Sequence, residues 1–481
     1  MTSLKRQTIV GVFWSIVERF GSQIVTFIIS LVLARILSPR EFGLAGIIIV
    51  FTSIGSIIVD GGFGSALIQR DKITKIDESS VFYFNCIVGA FLSFVLYLNA
   101  GNISHFYDEP DLLRITQVMS LNLFILSFST VPNNLLAKKL DFKIQAKVSI
   151  ISAILSGIIG VLMAINGYGV WSLVFQTLSS SLFRVFFLYL LSKWLPALIF
   201  SYEALKSLFH FGSLILVSGI LNTIFTNLYK LIIGKIYTMT DLGYYNKANE
   251  FFTLTSTNTV GIIGKVLFPA LSKLQKDNIR FKLAFAKSLK VITLVTMPIM
   301  LGLGAIADNL IPFLITDKWN ASIPYLRILS LMGALLPISS MNLEALKAQG
   351  KSRIFLNLEI AKKILMVISI ALSFKFGISI MLFSHFLFVS VTSLILNTYY
   401  SGKILHYGTI DQLRDLFKIF SISIVMALSV YILGLSMTDI TSVFLKLILQ
   451  IILGASIYIL GLFLFEKKVL WGIFHELRNF K

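Results

Sequence analysis

The 481-residue chain is 56% hydrophobic and only 14% charged, with a net charge of +19 and a mean hydropathy of +0.86. A soluble domain carries about 25% charged residues, so a water-soluble enzyme or binding module is excluded. In a soluble protein the positive balance would suggest nucleic acid. Here Lys and Arg fall in short clusters between apolar runs, as in the cytoplasmic loops of a membrane protein, and no nucleic-acid partner is expected.

The opening Met1-Thr-Ser-Leu-Lys5-Arg6 leads into an apolar run that continues past Leu33. That is longer than the core of a cleaved signal, so a retained first helix is expected. Cys86 is the single cysteine and lies in an apolar run, so no intramolecular disulfide can form. A bilayer core needs about 20 apolar residues per helix. The candidate spans in chain order are 9–34, 42–68, 80–100, 115–136, 148–165, 170–191 and 209–236, followed by 242–267, 285–315, 324–346, 354–374, 378–400, 417–435 and 443–465. The prediction is therefore an all-α polytopic membrane protein of about 14 transmembrane helices.

Orientation follows the Lys/Arg bias of short loops. The even gaps are basic: Arg70/Lys72/Lys75, Lys138/Lys139/Lys143/Lys147, Lys193/Lys206, Lys273/Lys276/Arg280/Lys282, Lys347/Lys351/Arg353 and Lys403/Arg414. The odd gaps are poor in cations. The 105–111 segment has no Lys or Arg, and Asp439 stands almost alone. One alternation fits every gap and puts both termini in the cytoplasm.

The chain also resembles itself at an offset of about 200 residues, a signal of internal repetition. Ala34-Arg-Ile-Leu-Ser-Pro-Arg-Glu-Phe-Gly43 aligns with Gly234-Lys-Ile-Tyr-Thr-Met-Thr-Asp-Leu-Gly243, and Gly61, Gly64 and Leu67 meet Gly261, Gly264 and Leu267. Leu113-Arg-Ile115 echoes Leu326-Arg-Ile328 at a slightly larger offset. Six helices separate the copies, so the halves share one orientation, as parallel repeats about an axis along the membrane normal do. The expected organisation is a six-helix lobe over 1–200, a second over 201–405, and a terminal helix pair with a cytoplasmic tail over 406–481.

An ionisable group near the bilayer centre costs at least ~2.5 kcal/mol on insertion scales and needs a reason. Snorkelling from span ends explains Lys265, Lys290, Arg327, Glu344, Glu359 and Lys362. Glu18, Arg19, Asp60, Arg184, Lys230, Lys247, Glu250 and His385 are deeper. His385 has no ligand partner at useful spacing and is read as a packing or interhelical residue. Polar stripes accompany the charges: Ser15, Arg19, Ser22, Gln23 and Thr26 on the first helix; Asn222, Thr223, Thr226, Asn227 and Lys230 on the seventh. The eighth carries Asn246, Asn249, Glu250, Thr253 and Thr257. Helix–helix hydrogen bonding accounts for the Ser, Thr and Asn positions but poorly for Arg19, Arg184 and Lys230. An aqueous cavity shared by both halves accounts for all of them. The candidate substrate-binding residues are therefore Arg19, Arg184, Lys230, Lys247, Asn222, Asn227, Gln23 and Asn249, and Glu18, Asp60 and Glu250 are candidates for ion coupling. No nucleophile elbow, phosphate-cradling loop or metal-ligand spacing is present, so no catalytic residue, metal or cofactor is expected.

Leu33-Ala-Arg-Ile-Leu-Ser-Pro-Arg-Glu-Phe-Gly-Leu44 and Asp60-Gly-Gly-Phe-Gly-Ser-Ala-Leu-Ile-Gln-Arg70 resemble the polysaccharide-transport branch of the multidrug/oligosaccharidyl-lipid/polysaccharide exporter superfamily. Phe106-Tyr-Asp-Glu-Pro110, Gly167-Tyr-Gly-Val-Trp171 and Asp241-Leu-Gly-Tyr-Tyr-Asn-Lys-Ala248 continue the likeness, which weakens beyond about Tyr400 and is close to the teichuronic-acid and colanic-acid type transporters. The resemblance implies two lobes, a central cavity that is often cationic, and a multi-pass place in the bacterial inner membrane. It further implies export of undecaprenyl-pyrophosphate-linked sugar units by alternating access; the helix prolines Pro298 and Pro337 are the candidate hinges for rocking lobes. A polysaccharide polymerase and glycosyltransferases are the partners it suggests, beside membrane lipids, with the transporter itself a monomer. Coupling to a proton or sodium gradient would run through Glu18, Asp60 or Glu250. Tyr229 stands where relatives often place an acid beside the seventh-helix asparagine, which weakens ion coupling there. Two alternatives are an antiporter for cationic drugs, which would favour an anionic cavity, and a membrane-embedded glycan polymerase or ligase, which would need a longer outer loop.

Overall fold

The structure, a computed structural model, describes residues 2–437 and 442–467, without the side chains of 2–9, 12 and 257–270. Expectations for the side chains of Thr257, Gly261, Gly264, Lys265 and Leu267, for Asp439 and for the tail after 467 lie outside the described residues. All elements found among the described residues are helical. Two compact units form, one over 1–246 and one over 247–481. The repeat predicts a boundary at 200/201, where the second copy begins; packing divides the chain later, inside the tenth helix.

The first unit contains α1 (Thr2–Ile36), α2 (Pro39–Asp60), α3 (Phe63–Gln69), α4 (Lys75–Leu98), α5 (Ala100–Tyr107), α6 (Asp111–Lys138), α7 (Phe142–Ile165), α8 (Val170–Ser192), α9 (Tyr202–Ile236) and the start of α10 (Met239–Lys273). The 200-residue repeat is visible element by element. Helices α1 and α9 each run 35 residues and end at Ile36 and Ile236, and the next helices begin at Pro39 and Met239. Matching capping boxes set both restarts. The Ser38 amide donates to Glu41 Oε2 at 2.6 Å and the Glu41 amide returns to Ser38 Oγ. Thr238 and Asp241 do the same at 3.2 and 3.1 Å. One turn later, Gly43 lies against the Met239 carbonyl and Gly243 against the Pro39 carbonyl, so tightly that a Cβ on either would overlap backbone. After these restarts the copies diverge. Gly61 and Gly62 both take left-handed φ, of 58° and 73°, and break α2 from α3. At the equivalent place Gly261 is followed by Ile262, and α10 runs on without a break.

The second unit contains α11 (Asn278–Ala305), α12 (Ala307–Ile315), a 3₁₀ turn (Asp317–Ser322), α13 (Ile323–Ala348) and α14 (Ser352–Ser373). After them come α15 (Ile378–Ser384), a π-helical stretch (His385–Val391), α16 (Thr392–Leu405), α17 (Thr409–Ser436) and α18 (Val443–Phe465). Its core stacks Phe281, Phe285 and Met297 of α11 on Ile338 and Met341 of α13 and Leu416 and Ile419 of α17. A buried polar knot pins α13, α16 and α17: Asn342 Nδ2 donates to Gln412 Oε1 at 3.0 Å, Gln412 Nε2 returns to Asn342 Oδ1 at 3.0 Å, and Ser401 Oγ donates to the same oxygen. The terminal helix pair is packed into this unit. Lys290 pairs with Glu466 at 3.0 Å and Asn309 donates to Gln450 at 2.9 Å.

Twelve described helices are long and apolar enough to cross a membrane. The two other expected spans are also helical. In α14, Glu359, Lys362 and Lys363 cluster mid-helix, and α10 carries Lys247 and Glu250 with many of its side chains undescribed. Of the fourteen expected spans, twelve meet the criterion of length and apolarity.

Candidate functional site

A membrane helix that contains proline leaves one carbonyl without its i+4 amide. In α6 that proline is Pro132, and the carbonyl left over, of Phe128, accepts the Tyr189 hydroxyl of α8 at 3.1 Å. The two residues that follow, Asn133 and Asn134, organise the polar interior of the first unit. Gln145 Nε2 of α7 donates to the Asn133 backbone carbonyl at 2.8 Å and to its Oδ1 at 3.3 Å. Arg184 Nη2 of α8 reaches the same Oδ1 at 3.5 Å.

Arg184 sits in the field of Glu18 on α1. Glu18 accepts from Ser149 Oγ of α7 at 3.4 Å. Four helices therefore converge on one guanidinium and one carboxylate, neither of them exposed and neither fully closed off. A guanidinium held by a neutral amide, with a carboxylate near but not clasped in a bidentate pair, keeps donors free for an anionic ligand.

Asp60 sits at the end of α2 and meets the other asparagine. Asn134 Nδ2 donates to its Oδ1 at 3.3 Å, and the backbone amides of Gly62 and Gly64 also donate to the carboxylate. Its lone pairs serve the α2–α3 corner.

The remaining sequence-predicted residues are distributed as follows. Arg19 is exposed and makes no side-chain hydrogen bond among the described residues; its carbonyl accepts from Ser22 at 3.4 Å. Lys230 is half-buried on α9 with no ion pair among the described residues. Its neighbour Tyr229 is buried and stacks on Tyr245, centroids 6.3 Å apart. Asn222 is exposed, and Gln23 and Asn249 are half-buried. Asn227 donates to the Thr223 carbonyl at 2.9 Å and Thr253 to the Asn249 carbonyl at 2.7 Å. Such i−4 back-bonding satisfies a polar side chain within its own helix.

Lys247 opens the second unit and is fully buried. Its Nζ donates to Glu250 Oε2 at 2.8 Å and lies 5.7 Å from the Trp319 ring centre. That charge is neutralised where it stands, and Glu250 is engaged with it. Sequence reasoning passed over Asn133, Asn134, Gln145 and Ser149. The signal that could have found them is Pro132-Asn-Asn134, a helix-breaking residue and two amides inside an otherwise apolar span.

Among the described residues no three His, Cys, Asp or Glu side chains gather as a metal site would require.

With this geometry in hand, comparison with known proteins gives a family. Residues 32–324 match the family described as "Polysaccharide biosynthesis protein". The chain is 27% identical over 357 residues to the teichuronic acid biosynthesis protein TuaB of Bacillus subtilis (73% of each chain). It is 28% identical over 344 residues to the succinoglycan biosynthesis transport protein ExoT of Rhizobium meliloti (72% of this chain, 70% of that one). It is 26% identical over 400 residues to the lipopolysaccharide biosynthesis protein WzxC of Escherichia coli (82% and 81%). Among solved structures, the lipid II flippase MurJ in an inward closed conformation superimposes with a TM-score of 0.75 at 18% identity, covering 95% of this chain and all of that one. An inward-facing MATE multidrug transporter follows at 0.61 and 16%, covering 80% and 94%.

Proposed function

Since the chain belongs to the polysaccharide biosynthesis protein family, we propose that it is a flippase carrying undecaprenyl-pyrophosphate-linked oligosaccharide units across the bacterial inner membrane by alternating access. It works as a transporter and not as an enzyme. The observation that carries the reading is Arg184, a guanidinium within the membrane-spanning part of the first unit. Asn133 holds it and Glu18 balances it without clasping it. A half-buried cation with donors to spare suits a pyrophosphate, whose oxygens accept the paired N–H groups of a guanidinium. Arg19 and Lys230 supply further positive charge, Asn222 and Gln23 supply groups for sugar hydroxyls, and Asn227 keeps its Oδ1 for them while its Nδ2 back-bonds within α9. Lys247 contributes through its ion pair with Glu250 and not as a free cation.

Of the three carboxylates considered for coupling to a proton or sodium gradient, Glu18 is the one we favour. Asp60 is occupied by Asn134 and the Gly62 and Gly64 amides, and Glu250 by Lys247. Both termini are taken as cytoplasmic, a monomer suffices, and glycosyltransferases would act before it and a polymerase after it.

The test follows the lipid. Cells lacking the protein should accumulate the intact lipid-linked unit, by mass spectrometry of extracted lipids, with its sugars hidden from an external lectin. Purified protein in liposomes should expose that sugar without changing its mass. A changed mass would indicate an enzyme, and export of cationic dyes with the lipid unmoved would indicate a drug antiporter.

A further inference from the structure

Between α8 and α9 the chain runs without helix from Lys193 to Ser201, and its apolar side chains face outward. Leu195 is 76% exposed, Leu198 96%, Phe200 55%, and Tyr202, the first residue of α9, 68%. The segment is nonetheless held firmly from the other side. Trp194 Nε1 donates to Glu78 Oε2 at 2.7 Å, the Ala197 amide to Ser79 Oγ at 2.9 Å, and the Ser201 amide to Ser80 Oγ at 2.9 Å. Three consecutive residues at the start of α4 thus fasten it at three points. The Trp194 ring meets Phe82 edge-on at 5.6 Å, and Ser79 and Ser80 are themselves buried. A segment pinned by its polar groups and showing its apolar ones is built to meet an apolar surface.

The surrounding charge indicates which surface. Lys193 and Lys206 flank the segment. Arg70 joins them, bonded to Asp77 and to Ser207, each at 3.1 Å. Lys138 is close by, donating to the Leu67 and Arg70 carbonyls. Three of the acids nearby are engaged: Asp77 by Arg70 and Thr74, Glu78 by Trp194, and Glu203 by the Ser201 hydroxyl at 2.8 Å; Asp71 is exposed beside Arg70 and Lys72, and the cations still outnumber it. The segment joins two helices long and apolar enough to cross a membrane, so it lies at the level of a membrane surface. Aliphatic and aromatic side chains ringed by Lys and Arg match a leaflet that carries anionic headgroups.

We propose that residues 193–202 form an interfacial anchor, seated in the anionic lipid leaflet at the basic end of the first unit. This anchoring does not depend on what the protein transports. The experiment uses full-length protein carrying Cys86→Ser and Leu198→Cys, labelled with bimane and reconstituted in phosphatidylcholine vesicles with or without phosphatidylglycerol. Lys72→Cys, in an exposed polar loop, serves as the aqueous control. At position 198 the emission should shift to the blue and be quenched by lipids bearing a shallow nitroxide, more strongly with phosphatidylglycerol present, while aqueous iodide quenches only the label at 72. Iodide quenching at 198 as strong as at 72 would overturn the proposal. So would a blue-shifted emission that neither quencher reaches, which would mean that protein covers the segment. Because Leu198 is almost wholly exposed, its replacement leaves the fold intact, and a negative result speaks to the anchor itself.

Discussion

Arg184 is the residue on which the functional reading turns. It is positioned by Asn133 and felt by Glu18, and no acid lies within one helical turn of it on α8. Arg184→Ala should abolish surface glycan while the protein still inserts, and Arg184→Lys should restore part of the activity. A lysine keeps the point charge but loses the planar fork that grips two oxygens at once. Glycan output and protein level measured together check this, and full activity in the alanine variant would assign the arginine to packing.

Tyr458 permits a sharper test because its role is purely structural. Pro298 leaves the Leu294 carbonyl without an amide, and the Tyr458 hydroxyl donates to that carbonyl at 2.6 Å. Tyr458→Phe should cost about 1–2 kcal/mol, the upper range for a hydrogen bond inside a membrane protein. In a Pro298→Ala background the helix regains its own amide, so the same substitution should cost clearly less. Additive losses in this double-mutant cycle, read by thermal unfolding in detergent, would break the link. Pro298 was legible in the sequence as a candidate hinge, but its partner was not, because Tyr458 lies far along the chain on α18. Lys247 shows the converse. Its acid, Glu250, is only three residues on and was in plain view, but the full burial that makes the pair structural depends on Trp319 and could not be read locally.

Among elements, the restarts of α2 and α10 were the best foreseen. Capping residues, glycines and apolar runs are local signals, and they recur at 200 residues because each copy solves the same turn. What the alignment could not reveal is that the two glycines face each other's chain: Gly43 abuts the Met239 carbonyl and Gly243 the Pro39 carbonyl. A methyl group at either position has to displace backbone, not a side-chain tip. Gly43→Ala and Gly243→Ala should each destabilise by about 1–3 kcal/mol, the usual range for overpacking. Gly101→Ala, where an added Cβ meets open space within a helix, should be neutral or slightly stabilising. Melting temperatures of the three purified variants decide the matter, and equal values would mean that α2 and α10 do not need this close approach. The Asn133–Arg184–Glu18 cluster was only half legible for a related reason. Its charged members stand out in any apolar span, whereas the amides that aim them come from α6 and α7 and resemble ordinary helix-packing residues until the helices are assembled.

For the whole molecule the open physical question is whether α10 and α14 cross the bilayer, since apolarity alone selects twelve helices. Length favours crossing: α10 has 35 residues, about 52 Å at 1.5 Å per residue, against a hydrocarbon core of about 30 Å. Its charges do not forbid it, because Lys247 and Glu250 neutralise each other at 2.8 Å. The Lys/Arg alternation also requires it, for without α10 the basic run Lys273/Lys276/Arg280/Lys282 would face outward, against the retention of positive charge inside. Single cysteines in a Cys86→Ser background separate the cases. With fourteen crossings, an impermeant maleimide on intact cells should label Asp108→Cys and spare Lys139→Cys, Lys276→Cys and Lys351→Cys. With twelve, the labels at 108 and 139 are unchanged, but 276 and 351 both become reactive, because removing α10 inverts every span up to α14. Protection at 276 and 351 together with labelling at 108 thus fixes the orientation and the crossing of α10, labelling of Lys375→Cys, exposed just after α14, then fixes the crossing of α14, and labelling at 139 would reverse the orientation of the chain.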